Sequence, residues 1–438
     1  MEVRITRRAL VMRVSLAVVA AGAMLAGSYA LLGSGDHFAI GGSDGKTDDG
    51  PATVSTVATG TVVTRIENQA DLPSGVMVIT VPLGTNFESP GSLYGTNAKK
   101  PVQLGPKNVR GMTQDAFSGQ AGILLPDGEH VLYHFWETLA SFPTEAPGDP
   151  VVPDGTHLNT PSIRLLDLAS GDDELVLSGA RSIAWRSDGM YAYTTGVDAD
   201  YRYNVTYMRR VIVQQGLDGS PVTWTSDADQ YTVQQWADGA LFVWREALGG
   251  ARDLLAFTGP DTFTRIVPEG HMFLCTSPDG TRILTQSGGF SGESEPFVLH
   301  EIEWRTGTEI TSVSLDGVLD PATGEQVLPA LNAAWEADRI AVGLYPADLA
   351  MLSAAGDALT LQDVVTFSHP SLKAGAPQAI ALDETGDRVF VIGREGSREV
   401  ELERTAIITY DLESGECSRW IAPGTAVTKF VFNPSRPR

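Results

Sequence analysis

Positive charge is scarce in this 438-residue chain: six lysines and 25 arginines face 54 acidic side chains, a net charge of -23. A body that acidic repels phosphate, which excludes nucleic acid and anionic membrane surfaces as partners. Cysteine is scarcer still. Two residues cannot staple a disulfide mini-domain, nor supply a four-thiolate zinc or iron–sulfur site. Beyond the N-terminus no segment keeps a 3.6-residue apolar period, which excludes a helical architecture. Residues 60–438 hold neither a Gly-x-Ser-x-Gly elbow nor a phosphate-binding glycine loop. What is present is ordinary globular material, 42% apolar and 19% charged, long enough to bury a large core.

Residues 1–33 read as a targeting segment. Arg4, Arg7, Arg8 and Arg13 precede an uncharged run from Val14 to Gly33. Those 20 residues are long enough to cross a hydrocarbon core of about 30 Å. Asp36, Asp44, Asp48 and Asp49 follow, so the charge bias places the N-terminus in the cytoplasm and the remainder outside. The run is either retained as a transmembrane anchor or cleaved near Ala30, after Ser28-Tyr29-Ala30. Arg7-Arg8 also fits a twin-arginine export signal, with an ordinary basic leader as the alternative. Residues 34–59, rich in Gly, Ser, Thr and Asp, read as a flexible acidic linker, and 60–438 as the folded domain.

That domain repeats one phrase: an apolar strand, a tight polar turn, a second apolar strand, then two more strands around another turn. The tight turns are Leu125-Pro126-Asp127-Gly128, Arg186-Ser187-Asp188-Gly189, Trp236-Ala237-Asp238-Gly239 and Ser277-Pro278-Asp279-Gly280. Degenerate copies stand at Trp335 to Asp338 and Asp383 to Gly386. In such turns aspartate caps backbone N–H groups and glycine takes the positive-φ corner. The four glycines lie 61, 50 and 41 residues apart. Four strands per 40–60 residues predict a β-propeller.

The Ser-Pro-Asp-Gly turn, the apolar strand after it, and a later Asp-Leu-x-x-Gly such as Asp167-Leu168-Ala169-Ser170-Gly171 resemble the TolB-like, WD-repeat-related propeller repeat. The resemblance covers residues 117–432 and implies fold rather than activity. Proteins of that family carry a small α/β domain before the propeller; here a linker stands in its place, so TolB partners are not transferred. Val427 to Phe432 resembles one more first strand, while Val76 to Val81, Ser92 to Tyr94 and Val102 to Leu104 are three strands without one. Joining them closes a ring of seven blades and removes its open edge; six blades is the second choice.

In a meander of this kind the tight turns share one end of the ring, and the variable gaps after each second strand share the other. The gaps are Glu137 to Pro161, Gly196 to Arg210, Ser287 to Pro296 and Gly393 to Thr405. Loops of varied length on a rigid scaffold are where recognition is carried. One of them holds Tyr201, Arg202, Tyr203, Tyr207, Arg209 and Arg210, a basic aromatic stretch in an acidic protein. Tyrosine and arginine are the side chains enriched at binding hot spots.

Catalytic and metal signals are thin. His130 and His134 fall on one side of a strand but lack a third zinc ligand. Asp198, Asp200 and Asn204 lack the glycine and terminal glutamate of a calcium loop. Asp127, Asp188, Asp238 and Asp279 mimic a carboxylate ring that their turn role explains, and Cys275 and Cys417 read as unpaired, buried thiols. The expectation is an extracytoplasmic, membrane-tethered or secreted propeller that binds an envelope protein or glycan, with no cofactor, metal or catalysis of its own. The alternative is a propeller enzyme of lactonase or glycan-lyase type. An enzyme predicts a channel mouth lined by converging ionisable groups; a binding module predicts a plugged channel.

Overall fold

The computed structural model describes residues 60–82, 91–95, 101–105, 111–112, 122–139, 158–195, 210–246, 252–288, 296–368, 377–394 and 405–431, apart from positions 218, 226–228, 357, 378 and 423–424. The expected leader and linker, 1–33 and 34–59, lie outside the described residues. Among the described residues no helix is long and apolar enough to cross a membrane.

Seven sheets form, each a four-stranded antiparallel meander at its core. Blade 1 comprises Gly122–Leu124, His130–Leu139, Leu158–Asp167 and Asp173–Ser178, with Gly111–Met112 also against its second strand. Blade 2 runs Ala180–Trp185, Met190–Thr195, Arg210–Gln215, Val222–Thr223. Blade 3 runs Gln230–Ala237, Ala240–Glu246, Arg252–Gly259, Thr262–Arg265. Blade 4 runs His271–Thr276, Arg282–Ser287, Val298–Glu303, Thr308–Ser314. Blade 5 is Leu328–Glu336, Arg339–Tyr345, Leu349–Ala355 and Ala358–Phe367; blade 6 is Ala379–Leu382, Arg388–Arg394, Thr405–Asp411 and Cys417–Ile421.

The seventh blade joins both ends of the domain. Thr425–Phe430 pairs antiparallel with Met77–Pro82, with Val78 opposite Phe430 and Val81 opposite Ala426. Ser92–Gly95 and Val102–Gln103 complete that sheet. The expected closure by the last strand is therefore present. Side chains alternate across a strand, so each blade buries both faces against its neighbours. The core is accordingly divided into seven apolar clusters, each spanning two adjacent blades. Val78 packs towards blade 6 and its neighbour Ile79 towards blade 1. Seven seams for seven blades leave no gap in the ring, and the six-bladed alternative falls.

Local chemistry explains the turns. Asp127 Oδ1 accepts from the N–H groups of Glu129 and His130, while Gly128 takes φ 70°. Asp279 Oδ1 accepts from Thr281, and Asp383 Oδ1 from Asp387 and Arg388. Asp238 departs from the expected cap. It sits in a two-residue hairpin between Ala237 and Ala240, itself at φ 43°, and its carboxylate meets Arg305 of blade 4 at 2.6 Å. Its short polar side chain tolerates the left-handed corner that a primed turn demands.

One element was not anticipated. Gly60–Val63 adds a fifth strand to blade 5, parallel to Val364–Phe367, and Glu67–Asn68 lies parallel to Ser418–Arg419 on blade 6. Thr61 Oγ1 donates to Asp363 at 2.5 Å, and Val63 and Ile66 are buried in the seam between those blades. Residues 60–69 thus form a strap across two outer blade edges.

Candidate functional site

The first strands of blades 2 and 3, 4 and 5, 5 and 6, and 6 and 7 contact one another along the inner wall of the ring. In the half of that wall nearest the tight turns lies a recess of about 70 Å³ between blades 3 and 6. Gln235, Thr276, Ser277, Trp335, Glu336 and Leu382 are among its lining residues, and Glu336 is its one carboxylate. A volume near 30 Å³ per water gives it room for about two. At this end of the ring the turn carboxylates serve their own turns. Arg186 holds Asp188 below the usual carboxylate range, and the N–H groups of Ser170 and Ala169 do the same for Asp167. They are structural, as their spacing suggested.

The opposite end carries the connections of varied length. Six of the eight expected loop boundaries fall inside strands. The blade 1 hairpin extends to Leu139 opposite Leu158, so Glu137 and Pro161 are in strands. Gly393 and Arg394 pair with Ala406 and Thr405. Ser287 pairs with His271 and Val298. Arg210, expected in the tyrosine-rich loop, opens a strand opposite Thr195 and is exposed. Tyr201, Arg202, Tyr203, Tyr207 and Arg209, with Asp198, Asp200 and Asn204, lie outside the described residues.

At that end of blade 4, four strands bring together groups that the sequence scatters over 39 residues. Ser287 Oγ lies 2.8 Å from His300 Nε2, and His300 Nδ1 lies 3.0 Å from Glu309 Oε2. The His271 ring stacks on His300, centroids 4.4 Å apart and planes tilted by 39°. His271 Nδ1 is itself 3.1 Å from the buried Thr285 hydroxyl. Burial lowers the His271 pKa and the adjacent His300 lowers it further, so this ring stays neutral. The group faces the seam towards blade 3, where Phe242, Trp244 and Phe273 pack edge to face. Sequence reading took His271 and His300 singly. Straight counting back from the Asp279-Gly280 turn sets His271 opposite Gly288, because a bulge between Phe273 and Cys275 shifts the register by one. Thr285 meets His300 across a different connection, so no local signal marked the group.

The other candidates do not converge. His130 Nδ1 pairs with Asp127 at 2.8 Å, which raises its pKa, whereas His134 is buried in the strand. Among the described residues no group of three or more His, Cys, Asp or Glu side chains is set to hold a metal. Neither Cys275 nor Cys417 is in a disulfide; Cys417 is buried, which pushes its thiol up to about 12, whereas Cys275 is half-buried rather than buried as expected.

No family model and no curated protein matches the chain. Solved structures similar to it include the β-propeller domain of the Trilobed protease from Pyrococcus furiosus, at 11% identity and TM-score 0.42, covering 88% of this chain and 98% of that one. The uncharacterized protein lmo1340 from Listeria monocytogenes matches at 10% identity and TM-score 0.44, covering 84% and 99%. The GH74 enzyme of Niastella koreensis matches at 13% identity and TM-score 0.43, over 81% of this chain. This chain spans about half the length of that enzyme, 55%. The all-β, seven-bladed propeller rests on the strand pairing described above, and at these identities and TM-scores the likenesses add nothing to it.

Proposed function

We propose that this propeller is an extracytoplasmic recognition module, held at the cell envelope by its N-terminal segment, which binds an envelope protein or glycan through the end of the ring carrying the variable connections. The recess in the inner wall carries this reading. Its lining is largely small and apolar, with the single carboxylate of Glu336, where a channel enzyme of lactonase or lyase type needs several ionisable groups converging on one substrate. Recognition then falls to the opposite end, where the loop containing Tyr201, Arg202, Tyr203, Tyr207 and Arg209 joins the exposed Arg210. Arginines there offer an acidic or hydroxyl-rich ligand cationic contacts on a body of net charge -23. The turn-and-strand phrase supports kinship with TolB-like repeat proteins, and the basic leader followed by acidic residues supports export with the ring outside the cytoplasm.

The test is capture from envelope extract by the ring domain with and without Tyr201→Ala and Arg202→Ala together. Loss of the captured species in the double variant is expected. Equal capture by both proteins removes this loop from the binding surface.

A further inference from the structure

We propose that Ser287 is a nucleophile, set up by His300 and Glu309, for acyl transfer from a neutral carboxylic ester at the rim of the seam between blades 3 and 4. This goes beyond the recognition role and does not depend on it. The order of partners decides the protonation pattern. An ionised carboxylate only accepts, so at 3.0 Å from Glu309 the His300 Nδ1 carries a hydrogen. In the tautomer that carries its one hydrogen there, Nε2 presents a bare lone pair to which the Ser287 hydroxyl, 2.8 Å away, can donate. A general base needs that arrangement: hydroxyl proton aimed at nitrogen, with the far nitrogen oriented by a carboxylate.

The framework fits the task. Ser287, His300 and Glu309 project from three consecutive strands of one sheet, which fixes their spacing better than a loop does. The His300 side chain is only 12% exposed while Glu309 is 48% exposed, so the base is shielded and its positioning carboxylate closes the outer side. Neutral His271 stacks on the imidazole and, held by Thr285, restrains its plane. Ser287 is the last residue of its strand, and Gly288 follows at φ 59°, so the extended backbone ends there. Charge sets the substrate class. Glu309 and a net charge of -23 oppose an anionic ester and help expel the carboxylate product.

The reaction balances without a cofactor. Ser287 Oγ attacks the carbonyl carbon as its proton passes to His300 Nε2. The tetrahedral adduct collapses, the bond from carbon to the alcohol oxygen breaks, and His300 returns the proton to the departing alcohol. Water, deprotonated by the same nitrogen, attacks the acyl-serine, releases the carboxylic acid and restores the hydroxyl.

The full chain is treated with a fluorophosphonate probe, the adduct is located by peptide mass spectrometry, and p-nitrophenyl acetate hydrolysis is followed in parallel. The expected adduct is on Ser287. Ser287→Ala abolishes it and brings ester hydrolysis down to the buffer rate, with the melting temperature unchanged. Glu309→Gln, at an exposed side chain, slows labelling at least tenfold, and Glu309→Asp recovers part of that loss. The proposal is overturned if the native chain labels no faster than the denatured one or labels elsewhere. It is equally overturned if Ser287→Ala reacts like wild type, or if Glu309→Gln leaves the labelling rate untouched.

Discussion

Ring closure depends on one strand, and Phe430→Ala measures how much that strand contributes. Phe430 is 5% exposed and packs with Val76, Val78, Ile392 and Trp420, so it bridges the seam between blade 6 and the closing blade. Truncating a phenylalanine in such surroundings costs about 3–5 kcal/mol, the transfer term plus the cavity left behind. Set against a total stability of roughly 5–15 kcal/mol, that is a large share. Leu175→Ala is the matched control. Leu175 is 48% exposed on the outer strand of blade 1, and its truncation costs within about 0.5 kcal/mol. Equilibrium urea unfolding followed by tryptophan fluorescence suits the comparison, because Trp420 lies in the same cluster as Phe430. If Phe430→Ala costs less than about 1 kcal/mol, or no more than the control, then the last strand does not complete the seventh blade and the closed ring is wrong.

Two further expectations test the packing and the electrostatics. Gly105 holds φ 84°, and a Cβ there would stand 2.3 Å from Phe135 Cε2, so Gly105→Ala should cost about 2 kcal/mol or more; urea unfolding indistinguishable from wild type would refute the described seam between the closing blade and blade 1. Burial raises the Asp348 pKa to about 7, with Asp320 adding to the shift, although the Phe367 N–H donates to it at 2.7 Å. The native state therefore binds more protons than the unfolded chain between pH of about 4 and 7, and stability falls as pH rises through that window. Wild type should lose stability relative to Asp348→Asn by up to about 1.4 kcal/mol per pH unit there, the difference levelling off above it; a difference independent of pH would refute the assignment.

The fold was legible because each blade writes its own punctuation. Proline, aspartate and glycine at Leu125 to Gly128 and Ser277 to Gly280 dictate a local conformation, and local rules survive without knowledge of the partner strand. Closure was legible for a related reason: Val427 to Phe432 had the pattern of a first strand, and Val76 to Val81, Ser92 to Tyr94 and Val102 to Leu104 were three strands without one. The strap was not. Gly60-Thr61-Val62-Val63 is too short to show alternation, and its pairing reaches some 300 residues along the chain to Val364. Asp238 misled because a Trp-Ala-Asp-Gly sequence fits both a four-residue turn and a two-residue hairpin, and its partner Arg305 belongs to the next blade. The blade 4 relay was hidden because Ser287, His300 and Glu309 carry no motif and meet only through the register of three strands, one pairing of which contains a bulge.

The strap on blades 5 and 6 changes how such a molecule bears load. Tension drawn along the chain into Gly60 meets a short strand lying side by side with Val364 to Phe367, whose cross-links must rupture together rather than one after another. Until they do, none of that pull reaches Met77–Pro82, where the ring is fastened shut. Like the collar that spares a soldered joint at the end of a cable, residues 60–69 would let a leashed domain be tugged without being unwound.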